Sequence, residues 1–165
     1  MTRKEIEERA AEVLRHHGLY SVPVDPVVLA NKVGIKVHNA MFWEDGISGV
    51  VAKRGDFISL LVNADNAPAR KRFTIAHELG HHFLHLLQDG AFVDKEVDLF
   101  RAEVGEGESP KRQEVEANQF AAALLMPEEF VRREFEHSPE LSVLARMFNV
   151  SEVAMGYRLS QLRLI

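Results

Sequence analysis

Apolar residues recur along the chain with two different periods, and the change from one to the other divides it. Ile6, Ala10, Val13 and Leu14 fall three or four apart, which predicts an amphipathic helix over 3–17 with Gly18 as its stop. Pro23 and Pro26 mark a turn, and Asp25 is placed to cap a short helix from Pro26 to Lys32 that ends near Gly34. The pattern then tightens. Residues 35–38 read as a short strand, and Asp45-Gly46 is a turn signal. Residues 48–52 and 57–62 are β-like runs separated by Lys53-Arg54-Gly55-Asp56, which predicts a hairpin.

From about residue 69 the helical period returns. Phe73, Ile75, Ala76, Leu79, Gly80, Phe83, Leu84 and Leu87 predict a strongly apolar helix over roughly 69–88. Residues 89–112, with Gly90, Gly105, Gly107 and Pro110, read mainly as a loop with room for one short helix. A second apolar helix is expected over 111–125, stopped by Pro127, and a third over about 128–136. Residues 141–163 read as two helices joined at Asn149-Val150-Ser151. The expected fold is α+β: a small antiparallel sheet packed on a helical bundle, with a helix-turn-helix-like pair at the C-terminal end. Residues 1–165 are taken as one domain, with a C-terminal helical subdomain from about 128.

Composition narrows the chemistry. The chain has no cysteine, so disulfides are excluded and any metal must be held by histidine and carboxylate. A net charge of −5 gives no general attraction to nucleic acid. The charged N-terminal stretch has no apolar core of the kind a signal peptide carries, and the longest apolar run, 120–126, is far short of a membrane span. A soluble cytoplasmic protein is expected.

The central motif is His77-Glu78-Leu79-Gly80-His81, inside the helix predicted over 69–88. Residues four apart share a helix face, so two imidazoles so spaced can converge on one zinc ion. Glu78, one position round from the first histidine, can reach a metal-bound water without itself being a ligand and serve as general base. The bland alternative is a surface helix with two incidental histidines. A catalytic zinc needs a third ligand from the protein. His85 lies eight residues past His77, which on a straight helix is about 12 Å, and His82 points about 100° away from His81; both are expected on the helix surface or behind the ligands. The longer pattern with glycine and a third histidine fails, because Leu84 and Leu87 occupy those positions.

The third ligand is therefore sought on the helix over 111–125. Glu116, Phe120, Ala123 and Leu124 share one of its faces, so Glu116 points to the buried side, where a metal would offset the cost of an unpaired carboxylate. Glu114 lies about 160° from that face and is expected in solvent. The competing reading of Glu116 is an exposed carboxylate favoured by the helix dipole, and spacing alone does not separate the two.

These residues resemble a known family. Arg72-Phe73-Thr74-Ile75-Ala76-His77-Glu78-Leu79-Gly80-His81, with Glu116-Ala117-Asn118 and Phe120-Ala121-Ala122-Ala123-Leu124-Leu125-Met126-Pro127, is similar to the ImmA/IrrE metallopeptidases. Asn63, Val150-Ser151 and Arg158-Leu159 extend the likeness over about 5–160. The resemblance implies a compact fold similar to thermolysin-like (gluzincin-type) proteases, zinc held by His77, His81 and Glu116, and Glu78 as base. Manganese suits the same ligands. It further implies a protein substrate, a helix-turn-helix transcriptional repressor whose cleavage relieves repression.

Other readings compete. The pair over 141–162 outlines a helix-turn-helix with Ser151 as N-cap, but residues 138–165 hold three arginines (146, 158, 163) against two glutamates (140, 152), a weak basis for binding DNA. A purely structural zinc site would favour cysteine and leave Glu78 without a purpose. A non-catalytic adaptor, or a DNA-binding regulator, would keep the metal-site fold without turnover. Tyr157 and His137 are candidates for stabilising an oxyanion, and nothing in the spacing selects either.

Overall fold

In a computed structural model, residues 1–42, 44–85, 87–95 and 109–165 are described. Helix α1 (Arg3–His16) opens with a reciprocal cap between Thr2 and Glu5 and buries Ile6, Ala10, Val13 and Leu14. Helix α2 (Pro26–Lys32) starts on the Asp25 carboxylate, which accepts from the N–H groups of Val27 and Val28. Strands β1 (Ile35–Ala40), β2 (Ile47–Arg54) and β3 (Phe57–Asn63) follow. The β2–β3 hairpin closes at Gly55, whose φ of +59° suits glycine in a tight turn.

The sheet is mixed, not wholly antiparallel. Its order is β1-β3-β2-β4, and β1 runs parallel to β3. The chain leaves β1, skips one strand position to lay down β2, and β3 then fills the gap. The fourth strand, β4 (Gly90–Lys95), pairs antiparallel with β2 inside the stretch expected to be a loop. Residues 96–108 of that stretch lie outside the described residues. A row across the sheet runs Val37, Leu60, Val51, Phe92 by register. Leu60 and Val51 are buried, whereas Phe92, on the edge strand, is 45% exposed.

Helix α3 (Pro68–Leu84) begins with proline in its first turn and buries every residue from Phe73 to Gly80. Helix α4 (Ser109–Leu125) buries Glu116, Ala117, Asn118 and the run Phe120–Leu125, and it packs against both α3 and α1. Helices α5 (Glu128–His137), α6 (Leu141–Phe148) and α7 (Glu152–Gln161) complete the chain. Asn149 ends α6 in the left-handed conformation, and the Ser151 hydroxyl caps α7 by accepting from the Ala154 N–H.

Two side chains tie the ends of the molecule to its centre. Arg158 on α7 is 1% exposed; its Nε donates to the Met126 carbonyl and its guanidinium forks onto both Glu7 oxygens. Arg72 on α3 donates to the carbonyls of Val24 (2.5 Å) and Asn149 (3.0 Å). Asn63 pins the end of β3 by donating to the Ile47 carbonyl and accepting from the Asp65 N–H. Among the described residues no helix is long and apolar enough to cross a membrane.

Candidate metal centre

His77 and His81 lie one turn apart on α3, and their Nε2 atoms face each other at 3.1 Å. The carboxylate that meets this pair comes from α4, and it belongs to Glu114 rather than Glu116. The Glu114 oxygens lie 3.1 Å from His77 Nε2 and 3.1 Å from His81 Nε2. His77, His81 and Glu114 form the group of potential metal donors found among the described residues. Glu116 has a different setting: its Oε2 lies 2.9 Å from Nε2 of His85, and its Oε1 accepts from Arg112 and from the Met1 ammonium group.

The expected burial holds, with Glu116 8% exposed and Glu114 on the open side, but burial does not decide which carboxylate meets the imidazoles, because α4 packs against both α1 and α3. Glu114 and Asn118, four residues apart, look toward α3, while Glu116 looks toward the end of α3 at His85. Glu114 is half exposed, yet its carboxylate reaches inward to the imidazoles. Burial acts to raise its pKa, but protonated His77 and His81, donating to it and adding their charge in the metal-free chain, outweigh burial and hold the group well below the usual carboxylate range. For Glu116 burial likewise raises the pKa, and the Met1 ammonium, His85 and Arg112 bring it down to about 2.

The outer nitrogens of the two histidines are occupied. His77 Nδ1 donates to the Asn118 side-chain oxygen at 2.7 Å. His81 Nδ1 meets His85 Nδ1 at 3.0 Å. When both rings are neutral, with their protons on Nδ1, the two Nε2 atoms present lone pairs to one another and to a carboxylate. Three acceptors turned together repel unless a cation sits among them. A tetrahedral metal with ligands at about 2.0–2.1 Å has ligand–ligand edges of about 3.3–3.4 Å, close to the 3.1 Å separations found here. The donor set therefore fits a divalent metal.

Glu78 stands beside this group without joining it. It is 3% exposed, and its Oε1 is buried with no hydrogen-bond partner among the described residues. Such an atom costs free energy unless it serves a purpose. Glu78, His81, His85 and Glu114 share a cavity of about 280 Å³ with Val51 and Phe92. The cavity thus joins carboxylates and imidazoles to an apolar wall supplied by the sheet.

Neither oxyanion candidate lines that cavity among the described residues. Tyr157 is exposed on α7, and His137 sits at the end of α5 with its Nδ1 donating to the Arg133 carbonyl. His82 lies off the site, edge-on to Phe83, and burial followed by the charge of Lys53 holds its imidazole below the usual value. Helices α6 and α7 pack together across a short turn, and the groove beside them is lined by Leu141, Val153, Tyr157, Ile165 and Glu152, with no lysine or arginine. Sequence reasoning missed Glu114 and Asn118 at this cluster, whereas His85 lies behind His81, one of the two places expected for it. The Glu114-x-x-x-Asn118 spacing repeats the four-residue interval of the histidines and was the available signal.

Comparison with known proteins places this arrangement. A family model for M78 peptidases, described as the IrrE N-terminal-like domain, matches residues 30–160. A Mycobacterium tuberculosis transcriptional regulator has a similar fold, with a TM-score of 0.66 and 21% identity. The likeness covers 95% of this chain and 46% of that one, so this chain spans less than half of the regulator's length. No curated protein matches the sequence significantly.

Proposed function

Because the chain belongs to the IrrE N-terminal-like family of M78 peptidases, we propose that it is a zinc-dependent endopeptidase. In this reading residues 1–165 act as one catalytic unit. The observation that carries the proposal is the convergence of His77, His81 and Glu114 beside the orphaned Glu78 carboxylate oxygen. His77, His81 and Glu114 would hold the ion, and Glu78 would be the base. A bound divalent metal supplies Lewis acidity toward a carbonyl oxygen and toward water. Nitrogen and oxygen donors of this kind also accept manganese.

The chain's own residues do the rest. A peptide lying against Phe92 and Val51 places its scissile carbonyl over the triad. Glu78 takes a proton from the attacking water as the water oxygen bonds to the carbonyl carbon. It returns that proton to the amide nitrogen as the C–N bond breaks. The buried setting of Glu78 keeps bulk water from competing for the same oxygen.

The substrate proposed is a helix-turn-helix transcriptional repressor, by analogy with the ImmA/IrrE relatives, and the compartment is the cytoplasm. A DNA-binding role is disfavoured by the groove beside α7, which is largely apolar and carries Glu152 but no lysine or arginine. The test is incubation of the zinc-loaded protein with repressors encoded beside it, followed by mass spectrometry. Wild type is expected to cut one of them, and Glu78→Gln to retain metal while losing about 10²–10⁴-fold in rate. Cleavage by Glu78→Gln at the wild-type rate would refute the assignment. Tight binding of a repressor by wild type without cleavage would identify an adaptor instead.

A further inference from the structure

His85 stands one residue past the end of α3, with extended backbone (φ −125°, ψ 156°). On a continued helix its ring would lie too far along the axis to share a site with His77. Because the helix stops at Leu84, the ring turns back beside His81, with centroids 5.2 Å apart. Its side chain is 8% exposed, and that of Glu116 is 11% exposed. Three groups then lie in series: His81 Nδ1, 3.0 Å to His85 Nδ1, and His85 Nε2, 2.9 Å to Glu116 Oε2.

The chemistry of this series has a direction. A carboxylate only accepts, so His85 Nε2 carries a hydrogen and donates it to Glu116. Neutral His85 then has a lone pair on Nδ1, which must accept from His81 Nδ1–H. Neutral His81 is left with a bare lone pair on Nε2, the atom turned toward His77 and Glu114. One carboxylate thereby sets the tautomer of two imidazoles in succession. His77 reaches the same state by a shorter route, through the Asn118 oxygen.

We propose that His85, anchored by Glu116, is a positioning residue that fixes His81 as a metal ligand. The proposal rests on the metallopeptidase reading above and gives Glu116 a purpose that does not require contact with the ion. Outer partners of metal-binding histidines raise the basicity of the ligand and hold its ring in place. His85 does this without touching substrate or metal.

The test uses the full chain in two measurements. Zinc affinity is read by competition with a chromophoric chelator for wild type, His85→Leu, His85→Gln, Glu116→Ala and the His85→Leu/Glu116→Ala double variant. The tautomer of His81 is read on the zinc-free protein by long-range ¹H–¹⁵N NMR. His85→Leu is expected to weaken zinc binding about 10–100-fold. His85→Gln, which keeps both an acceptor oxygen and a donor amide, restores most of it. Glu116→Ala weakens binding in the wild-type background and adds nothing in His85→Leu, because it acts through His85. His81 is in the Nδ1–H form in wild type and a mixture of forms in His85→Leu.

Wild-type affinity in His85→Leu, equal losses in His85→Leu and His85→Gln, or an additive double variant would each overturn the proposal. If His85→Leu does not fold, the His85→Gln and Glu116→Ala affinities and the wild-type tautomer decide it. A wild-type chain that binds no zinc overturns the proposed function itself, a separate result from the tautomer read on zinc-free protein.

Discussion

Gly80 and Ala117 touch where α3 crosses α4, so closely that a Cβ on Gly80 would lie 2.9 Å from the Ala117 carbonyl oxygen and 3.0 Å from its Cα. The neighbours of this contact are residues of the candidate site: His77 and His81 flank Gly80 on one helix, and Glu114 and Asn118 flank Ala117 on the other. The separation of the helices therefore sets the distance from imidazole to carboxylate. Gly80→Ala gains about 1 kcal/mol of helix propensity but pushes backbone against backbone, an overpacking cost of about 1–3 kcal/mol. The expected outcome is a net loss of stability in urea unfolding and a fall in zinc affinity larger than that loss alone explains. Unchanged zinc affinity would show that the crossing does not govern the site.

The two glutamates of α4 make opposite demands on experiment. Glu114→Ala removes an oxygen donor 3.1 Å from both imidazoles, and zinc affinity should drop by more than about 100-fold, beyond the range for outer partners. Glu116→Ala should cost less, within about 10–100-fold. Isothermal titration of both variants ranks them, and the reverse order would restore Glu116 as the ligand.

Asn118 is 9% exposed and holds the proton of His77 Nδ1 at 2.7 Å. Asn118→Leu leaves that N–H buried and unpaired, which costs about 1–3 kcal/mol in stability. It should also weaken zinc binding about 10–100-fold. Both effects are checked by thermal unfolding with and without metal. An Asn118→Leu protein as stable as wild type in the metal-free form would mean the N–H finds another acceptor.

The sequence made the motif on α3 readable because one turn of helix fully determines which residues share a face. Helix α2 was legible to the residue, since Asp25, Pro26 and Gly34 punctuate it chemically. What the pattern could not carry was the surroundings of α4. A stripe of apolar residues identifies one inward direction, and α4 has two, because α1 covers one side and α3 the other. Glu114 and Glu116 could not be ordered without knowing which neighbour each would meet. Strand β4 escaped for a related reason: an edge strand with glycine at its start and Phe92 and Val93 exposed lacks the alternation that marks a half-buried strand. The mixed sheet was likewise out of reach, since the partner of β1 depends on a connection whose length alone permits either neighbour.

Arg158 offers a test remote from the metal. It is 1% exposed and donates to Met126 and to both oxygens of Glu7. Arg158→Ala should destabilise the protein by about 3–5 kcal/mol, because it strands a partly buried carboxylate and an unpaired carbonyl. Urea unfolding measures it. A loss below about 1 kcal/mol would mean that Glu7 simply turns out to solvent.

That same pair spans 151 positions of the chain. On a ribosome, which extends the chain from its N-terminus, Glu7 is made 151 positions before its guanidinium partner exists. His77, His81 and Glu114 are all made in the interval. The three proposed ligands are thus complete in the nascent chain before the Glu7–Arg158 pair can form, and the order of synthesis puts that fastening after the making of the proposed metal site.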